Sequence, residues 1–233
     1  MQKLIILLIT IFIFNYGRGQ EFVFSSKSMH DGYVYPEWKV KDDLVGKSYE
    51  DAVVVRTKSI LLGDGLGGSE GYAGLYSHYQ CLLLSDFLQN MISEVKDETA
   101  LKEIVVKQIN KNNYQIDSKT TINKSASTLV YLYLKDKFLY TGVVGDSGYS
   151  IFRFSESQNQ LLLNYRSDES ISSFNSPLCI YFGEDYKIQP NKHKVEGGDV
   201  VFTASDGLLD VLPYSFIVAA LNFLVAKMII AYD

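Results

Sequence analysis

Aspartates end apolar runs again and again in this 233-residue chain. The stretch Ile60-Leu61-Leu62-Gly63-Asp64-Gly65-Leu66-Gly67-Gly68 is the sharpest case. It reads as a buried strand that delivers a carboxylate to a sheet edge, followed by a turn whose glycines let the backbone approach a ligand. A carboxylate beside a bare carbonyl suits a hard divalent cation, which takes oxygen ligands. Alone the stretch reads equally well as a hairpin turn, because Asp-Gly is a common one. The pattern recurs, however, in Thr141-Gly142-Val143-Val144-Gly145-Asp146-Ser147-Gly148 and in Val200-Val201-Phe202-Thr203-Ala204-Ser205-Asp206-Gly207-Leu208. Tyr49-Glu50-Asp51-Ala52-Val53-Val54-Val55 sets two more acids before a β-branched run. Such clusters at strand edges point to one shared oxygen-ligand site. Two cations held there would clamp a phosphoryl group and lower the pKa of a water between them.

The elements that must carry these acids follow from periodicity. Asp51–Arg56 and Ser59–Gly63 read as a hairpin around Thr57-Lys58. Glu70–Ile92 reads as a helix with Leu75, Tyr79, Leu82, Leu83, Phe87, Leu88 and Met91 on one face, and Glu98–Asn112 as a second helix with Leu101, Ile104, Val105 and Ile109 inward. Asn113–Ser125 is polar and reads as a loop; its Asn123-Lys124-Ser125 sequon matters only in a secreted chain. Ser127–Leu134 and Phe138–Gly145 are expected strands joined at Lys135-Asp136-Lys137, followed by strands at Tyr149–Phe154 and Gln160–Tyr165. Arg166–Asn191 is turn-rich. Lys192–Glu196 and Asp199–Ala204 complete the strands around Gly197-Gly198. Pro213–Asp233 approaches the length of a membrane span, but Asn222 and Lys227 interrupt it and Pro213 suits a helix start, so a buried helix is expected.

Composition narrows the function classes. The chain is 47% hydrophobic, enough for a sizeable core and against global disorder. Its net charge is −5 with no dense basic stretch, so no nucleic-acid partner is expected. The two cysteines, Cys81 and Cys179, lack metal-ligand spacing and read as isolated thiols. His30, His78 and His193 are scattered and read as surface or packing residues. Residues 1–19 combine Lys3, the apolar run Leu4–Phe14 and the small residues Gly17 and Gly19, the layout of a secretory signal peptide cut after Gly19. Residues 20–44 form an N-terminal segment and 45–233 one domain. The expected location is the secretory route or a membrane surface, with attachment through the apolar ends open; a mitochondrial address is the alternative. A monomer is expected.

The ordered motifs Glu50-Asp51-Ala52, Asp64-Gly65-Leu66-Gly67-Gly68, Ser127-Thr128, Gly145-Asp146-Ser147 and Ser205-Asp206-Gly207-Leu208 resemble those of the metal-dependent type 2C serine/threonine protein phosphatases, the PPM family. Phe174-Asn175-Ser176-Pro177 resembles the PTC-seven-like, T-cell-activation branch, several members of which are mitochondrial. The resemblance covers about residues 45–220. It implies an α+β fold, a four-layer α-β-β-α sandwich of two antiparallel sheets flanked by helices. It implies hydrolysis of phosphoserine and phosphothreonine in phosphoprotein substrates by metal-activated water, with two manganese or magnesium ions and a third, weaker one. By resemblance Asp64 bridges two metals, the Gly65 carbonyl ligates one, and Asp206 holds the other. Glu50 and Asp51 act directly or through water, and Asp146 supports the third ion. Lys47 is the candidate phosphate contact, with an ordinary solvated lysine as its rival reading. Leu66 stands where some members carry a histidine. The family pattern continues to a final aspartate motif on a last core strand, and the sequence through Asp233 contains none. The fold is therefore expected to be incomplete at that end, and the alternative function is a catalytically impaired, phosphatase-like binding module.

Overall fold

Period-two patterning settles the architecture. In Leu129–Lys135 the residues Leu129, Tyr131 and Tyr133 point to one side and Val130, Leu132 and Leu134 to the other, and all are buried. A strand apolar on both faces must be covered on both. The computed structural model describes residues 12–14, 24–26, 51–56, 58–66, 73–90, 95–117, 125–173, 176–180 and 188–230. In chain order the elements are β1 (Phe12–Phe14), β2 (Phe24–Ser26), β3 (Asp51–Val55), β4 (Ser59–Asp64), α1 (Ala73–Asn90), α2 (Glu98–Asp117), β5 (Leu129–Lys135) and β6 (Phe138–Val144). There follow β7 (Gly148–Ser155), β8 (Gln160–Arg166), β9 (Ile171–Ser173), β10 (Ser176–Pro177), β11 (Gln189–Lys194), β12 (Val200–Ala204), α3 (Asp206–Leu209) and α4 (Tyr214–Ile230).

Two five-stranded antiparallel sheets face one another, ordered β2-β1-β12-β7-β8 and β11-β6-β5-β4-β3, with β9 and β10 as a small separate pair. Ile60, Leu62, Val130, Leu132, Leu139 and Val143 of one sheet meet Tyr149, Ile151 and Val201 of the other. Outside the second sheet, Leu61, Leu129, Tyr131 and Tyr133 pack on Leu84 and Leu88 of α1 and Leu101, Val105 and Ile109 of α2. Outside the first, Phe152, Leu161 and Phe202 pack on Ile217, Leu221 and Leu224 of α4. The result is the expected four-layer α-β-β-α sandwich. Each fully buried side chain of this size contributes about 1.5–3 kcal/mol.

Several elements differ from the sequence expectation, among them the short strands β9 and β10 inside the stretch expected to be turn-rich. The face α1 buries most completely is Tyr76, Ser77, Gln80, Cys81, Leu84, Ser85 and Leu88, while Leu75, Tyr79 and Phe87 are only partly covered. The reason is close approach. A Cβ added at Gly63 would stand 3.0 Å from Ser127 Oγ, 3.1 Å from Cys81 Sγ and 3.3 Å from Ser77 Cβ, so small residues sit where α1 crosses β4. Next, α2 runs five residues past Asn112. Gln108 Nε2 donates to Asn112 Oδ1 (2.7 Å), Asn112 Nδ2 to Gln80 Oε1 (3.1 Å) and Tyr76 Oη to Asn113 Oδ1 (2.7 Å), a buried amide cluster that binds the helices together. Last, β11 begins at Gln189, inside the stretch expected to be irregular, and pairs with β6 through Lys194.

Asn222, which breaks the apolar run of α4, accepts a hydrogen bond from the Leu161 N–H (2.6 Å) and so fastens α4 to β8. Pro213–Asp233 therefore supplies the expected core helix. Among the described residues no helix is long and apolar enough to cross a membrane. Cys81 and Cys179 are buried free thiols.

One position is decided by sterics alone. A Cβ at Gly142 would lie 2.4 Å from the Tyr131 ring, and Tyr131 is fully buried. Gly142→Ala is expected to lower stability by about 1–3 kcal/mol, through overpacking, read as a lower urea midpoint at unchanged slope.

Candidate metal centre

The acids are brought together by strand register. In the β3–β4 hairpin Asp51 and Asp64 are directly opposed, at the mouth end of both strands. Asp206 enters from the other sheet, as the first residue of α3 at the end of β12. Ser205 Oγ donates to Asp51 Oδ2 at 2.9 Å and so joins the two sheets at their rims. The Asp64 carboxyl lies close enough to those of Asp51 and Asp206 to feel both. Burial, then the charge of Asp51 and that of Asp206, push its pKa up to about 10. Burial beside like charges favours the protonated form of the Asp64 carboxyl.

Asp146 sits one turn away, between β6 and β7. Burial raises its pKa first, and the charges of Asp206, Asp210 and Glu169 add to that. Gly145, just before it, has φ +106°, a left-handed conformation that favours glycine. Asp64 is tied to this turn through Thr128. The Asp64 N–H donates to Thr128 Oγ1 (3.0 Å), the Thr128 N–H donates to the Asp64 carbonyl (2.8 Å), and Thr128 Oγ1 lies 2.8 Å from Ser147 Oγ. Gly65 forms a bridge with Ser127 whose bonds run through the neighbours, Leu66 N–H to the Ala126 carbonyl (2.9 Å) and Thr128 N–H to the Asp64 carbonyl. The bridge therefore leaves the Gly65 carbonyl itself unspent.

Of the residues expected from sequence, Asp51, Asp64 and Asp206 are gathered, Gly65 adjoins them and Asp146 lies next to Asp206. Glu50, Lys47 and Gly67-Gly68 lie outside the described residues. Among the described residues no three carboxylate, imidazole or thiolate side chains already stand at the spacing of a coordination shell. The donor set nevertheless fits a hard divalent cation in kind: every atom on offer is oxygen, and a cation would replace the proton that Asp64 favours without one.

Sequence reading missed His78. It lies on α1, which packs against β3 and β4, and its ring feels the charge of Asp51. Burial lowers its pKa, while the Gly74 carbonyl, which accepts from Nδ1 at 2.6 Å, and Asp51 act in the opposite sense. Asp210 and Glu169 were also missed. Asp210 could have been suspected from its place four residues after Asp206 in a helical turn; Glu169 lies in a stretch with no periodicity to read.

No protein-family model matches the chain. In sequence it is 32% identical over 112 residues to "Protein phosphatase PTC7 homolog fig" of Drosophila erecta, an alignment covering 43% of this chain and 33% of that protein. It is 26% identical over 181 residues to the Drosophila mojavensis protein of the same name, covering 72% of this chain and 54% of that one. "Probable protein phosphatase 2C 71" of Oryza sativa is 33% identical over 87 residues, covering 36% of this chain and 17% of that protein. The chain thus spans about a third to half the length of the Drosophila relatives. In structure it matches the catalytic domain of the serine/threonine phosphatase PstP in complex with two manganese ions, with TM-score 0.58, 19% identity and coverage of 74% and 77% of the two chains. It matches Stp1 from Staphylococcus aureus with TM-score 0.58, 17% identity and coverage of 76% and 77%. In sequence the chain is related to the type 2C (PPM) phosphatases, and its fold is theirs.

The proton count of Asp64 makes a stability prediction. Its folded pKa lies above the 3.8 of an ordinary aspartate, so the folded state keeps a proton that the unfolded state releases. Metal-free stability should therefore fall as pH rises from about 4 towards 10. Asp64→Asn should flatten that slope and melt higher than wild type at pH 8. With Mn2+ added, the wild type is expected to melt higher and Asp64→Asn is expected not to, checked by thermal unfolding with and without the ion.

Proposed function

We propose that this relative of the type 2C (PPM) phosphatases is a metal-dependent protein serine/threonine phosphatase, acting on phosphoserine and phosphothreonine in protein substrates. The observation that carries the reading is the convergence of Asp51, Asp64 and Asp206, from both sheets, on one rim. Two divalent cations, manganese or magnesium, would supply Lewis acidity and acidify water there. Asp64, Asp206 and Asp51 would hold these ions, with the Gly65 carbonyl as a neutral oxygen donor, and Asp146 would serve a third ion. From the sequence alone, Glu50 is proposed as a further ligand and Lys47 as a phosphate contact, an ordinary solvated lysine being the rival reading. The protein's own part is to fix these oxygens on strand ends and a helix start, so little reorganisation remains at the moment of reaction.

The test is hydrolysis of an aryl phosphate and of a phosphothreonine peptide with added Mn2+. Asp64→Asn and Asp206→Asn are each expected to lower kcat/KM by roughly 10³-fold, the loss of several kcal/mol of charge stabilisation. Binding of phosphopeptide without turnover would turn the reading to the alternative, a binding module. A wild-type protein that takes up no Mn2+ and hydrolyses neither substrate would overturn the enzyme.

For the compartment we propose the secretory route or a membrane surface, the mitochondrion being the alternative. One structural detail makes this testable. Phe12 and Ile13 of β1 pair with Val201 and Val200 of β12, so a cut after Gly19 would remove a strand and leave that edge of β12 unpaired. N-terminal sequencing of protein purified from eukaryotic cells should find Gln20 first; a start upstream of Phe12 would overturn the cut.

A further inference from the structure

We infer that the Thr128 hydroxyl is a positioning group for the acid site: it sets the separation of the two aspartate-bearing turns and so the metal affinity of the site. This inference rests on the metal-site reading above. Thr128 is 2% exposed and Ser147 fully buried, so neither hydroxyl is there to meet solvent. A buried hydroxyl needs partners, and those of Thr128 are specific. Oγ1 accepts from the Asp64 N–H (3.0 Å) and shares a hydrogen bond with Ser147 Oγ (2.8 Å). One oxygen therefore touches the backbone of the central acid and the residue beside Asp146. Thr203, the next inward position of β12 before Asp206, bonds the Gly148 carbonyl at 3.0 Å and holds the same turn from the other sheet.

The methyl group of the same side chain acts separately. A Cβ on Gly145 would fall 2.6 Å from Thr128 Cγ2 and 2.8 Å from its Cβ. The methyl thus packs on the left-handed glycine that precedes Asp146, while the hydroxyl grips the serine that follows it. Backbone bonds complete the node. Ser127 and Ile180 exchange hydrogen bonds (2.8 and 3.3 Å), and the Ser170 N–H donates to the Gly145 carbonyl (2.6 Å). The connector between β8 and β11 is thereby tied to both turns. Moving Asp64 relative to Asp146 requires Thr128 to let go of one of them. Partners of this kind behind a ligand change metal affinity by about 10–100-fold when removed.

The two roles separate by substitution. Thr128→Val keeps the methyl and loses the hydroxyl; Thr128→Ser keeps the hydroxyl and loses the methyl. Mn2+ titration by calorimetry is expected to show Thr128→Val binding at least about tenfold more weakly than wild type, and Ser147→Ala following it, with Thr128→Ser close to wild type. Loss of affinity in Thr128→Ser equal to that in Thr128→Val would make the role mere packing and overturn the inference, as would wild-type affinity in Thr128→Val. Amide hydrogen exchange on the metal-free protein reads the coupling independently. Thr128→Val should speed exchange at Asp64 and shift the Ser147 amide together, and a change confined to Asp64 would overturn the inference. If wild type bound no Mn2+, the metal reading would fall, and the inference about metal affinity would fall with it, while the exchange result would still report whether the two turns are linked.

Discussion

The structure depends on one electrostatic constraint: Asp64 is held, largely out of water, against the carboxyls of Asp51 and Asp206. Charges of one sign do not collect spontaneously at a sheet rim. They are held because the elements carrying them are fixed by interactions made elsewhere. The opposition of Asp51 and Asp64 follows from a hairpin register set four residues away, where Val55 faces Ile60. A slip by one residue would turn the whole inner face of β4 outward, so the position of Asp64 is as secure as the core itself. Asp206 is placed by β12, every residue of which is buried.

Polar groups inside the layers play a consistent part in this. The buried Asp199 takes both Nε and Nη2 of Arg153 at 2.8 Å and accepts from the Glu196 N–H at 2.9 Å, which fixes the turn into β12. Tyr149 Oη lies 2.7 Å from Thr141 Oγ1 and 2.8 Å from His193 Nε2, and so links β7 of one sheet to β6 and β11 of the other. The amide cluster of Gln80, Gln108, Asn112 and Asn113 does the same between α1 and α2. Each bond is worth only about 1 kcal/mol net, but each left unmade would cost more. Their contribution is to select one alignment of layers that hydrophobic burial alone would permit in several.

This division explains what could be read from the sequence. The strands and their order of burial were legible because β5, β6, β7 and β12 carry apolar residues at every second position or throughout. The acids were legible because Asp64, Asp146 and Asp206 each close such a run, with small residues following. The buried face of α1 was not legible, since it is chosen by the close approach at Gly63 and by amides on another helix, and the spacing of residues along one helix contains neither. The same cause hid the last turns of α2: Asn112 and Asn113 look like loop residues until Gln80 and Tyr76 are known to face them. His78 was read as a surface or packing residue because nothing local marks it; its relation to Asp51 exists only once α1 lies on β3.

A site made this way is mounted on backbone rather than on side-chain partners. Asp51 and Asp64 take their places from paired strands, Asp206 from the start of α3, and Asp146 from a glycine-led turn. Donors carried on rigid elements keep their geometry when a ligand's charge arrives, whereas donors on long side chains would relax around it. The same rigidity means that the acids cannot separate to relieve their repulsion, and the raised pKa of Asp64 is the visible consequence. Strain of that kind persists only where the surrounding layers over-determine it. Here the paired strands β3 and β4 and the step from β12 into α3 do so.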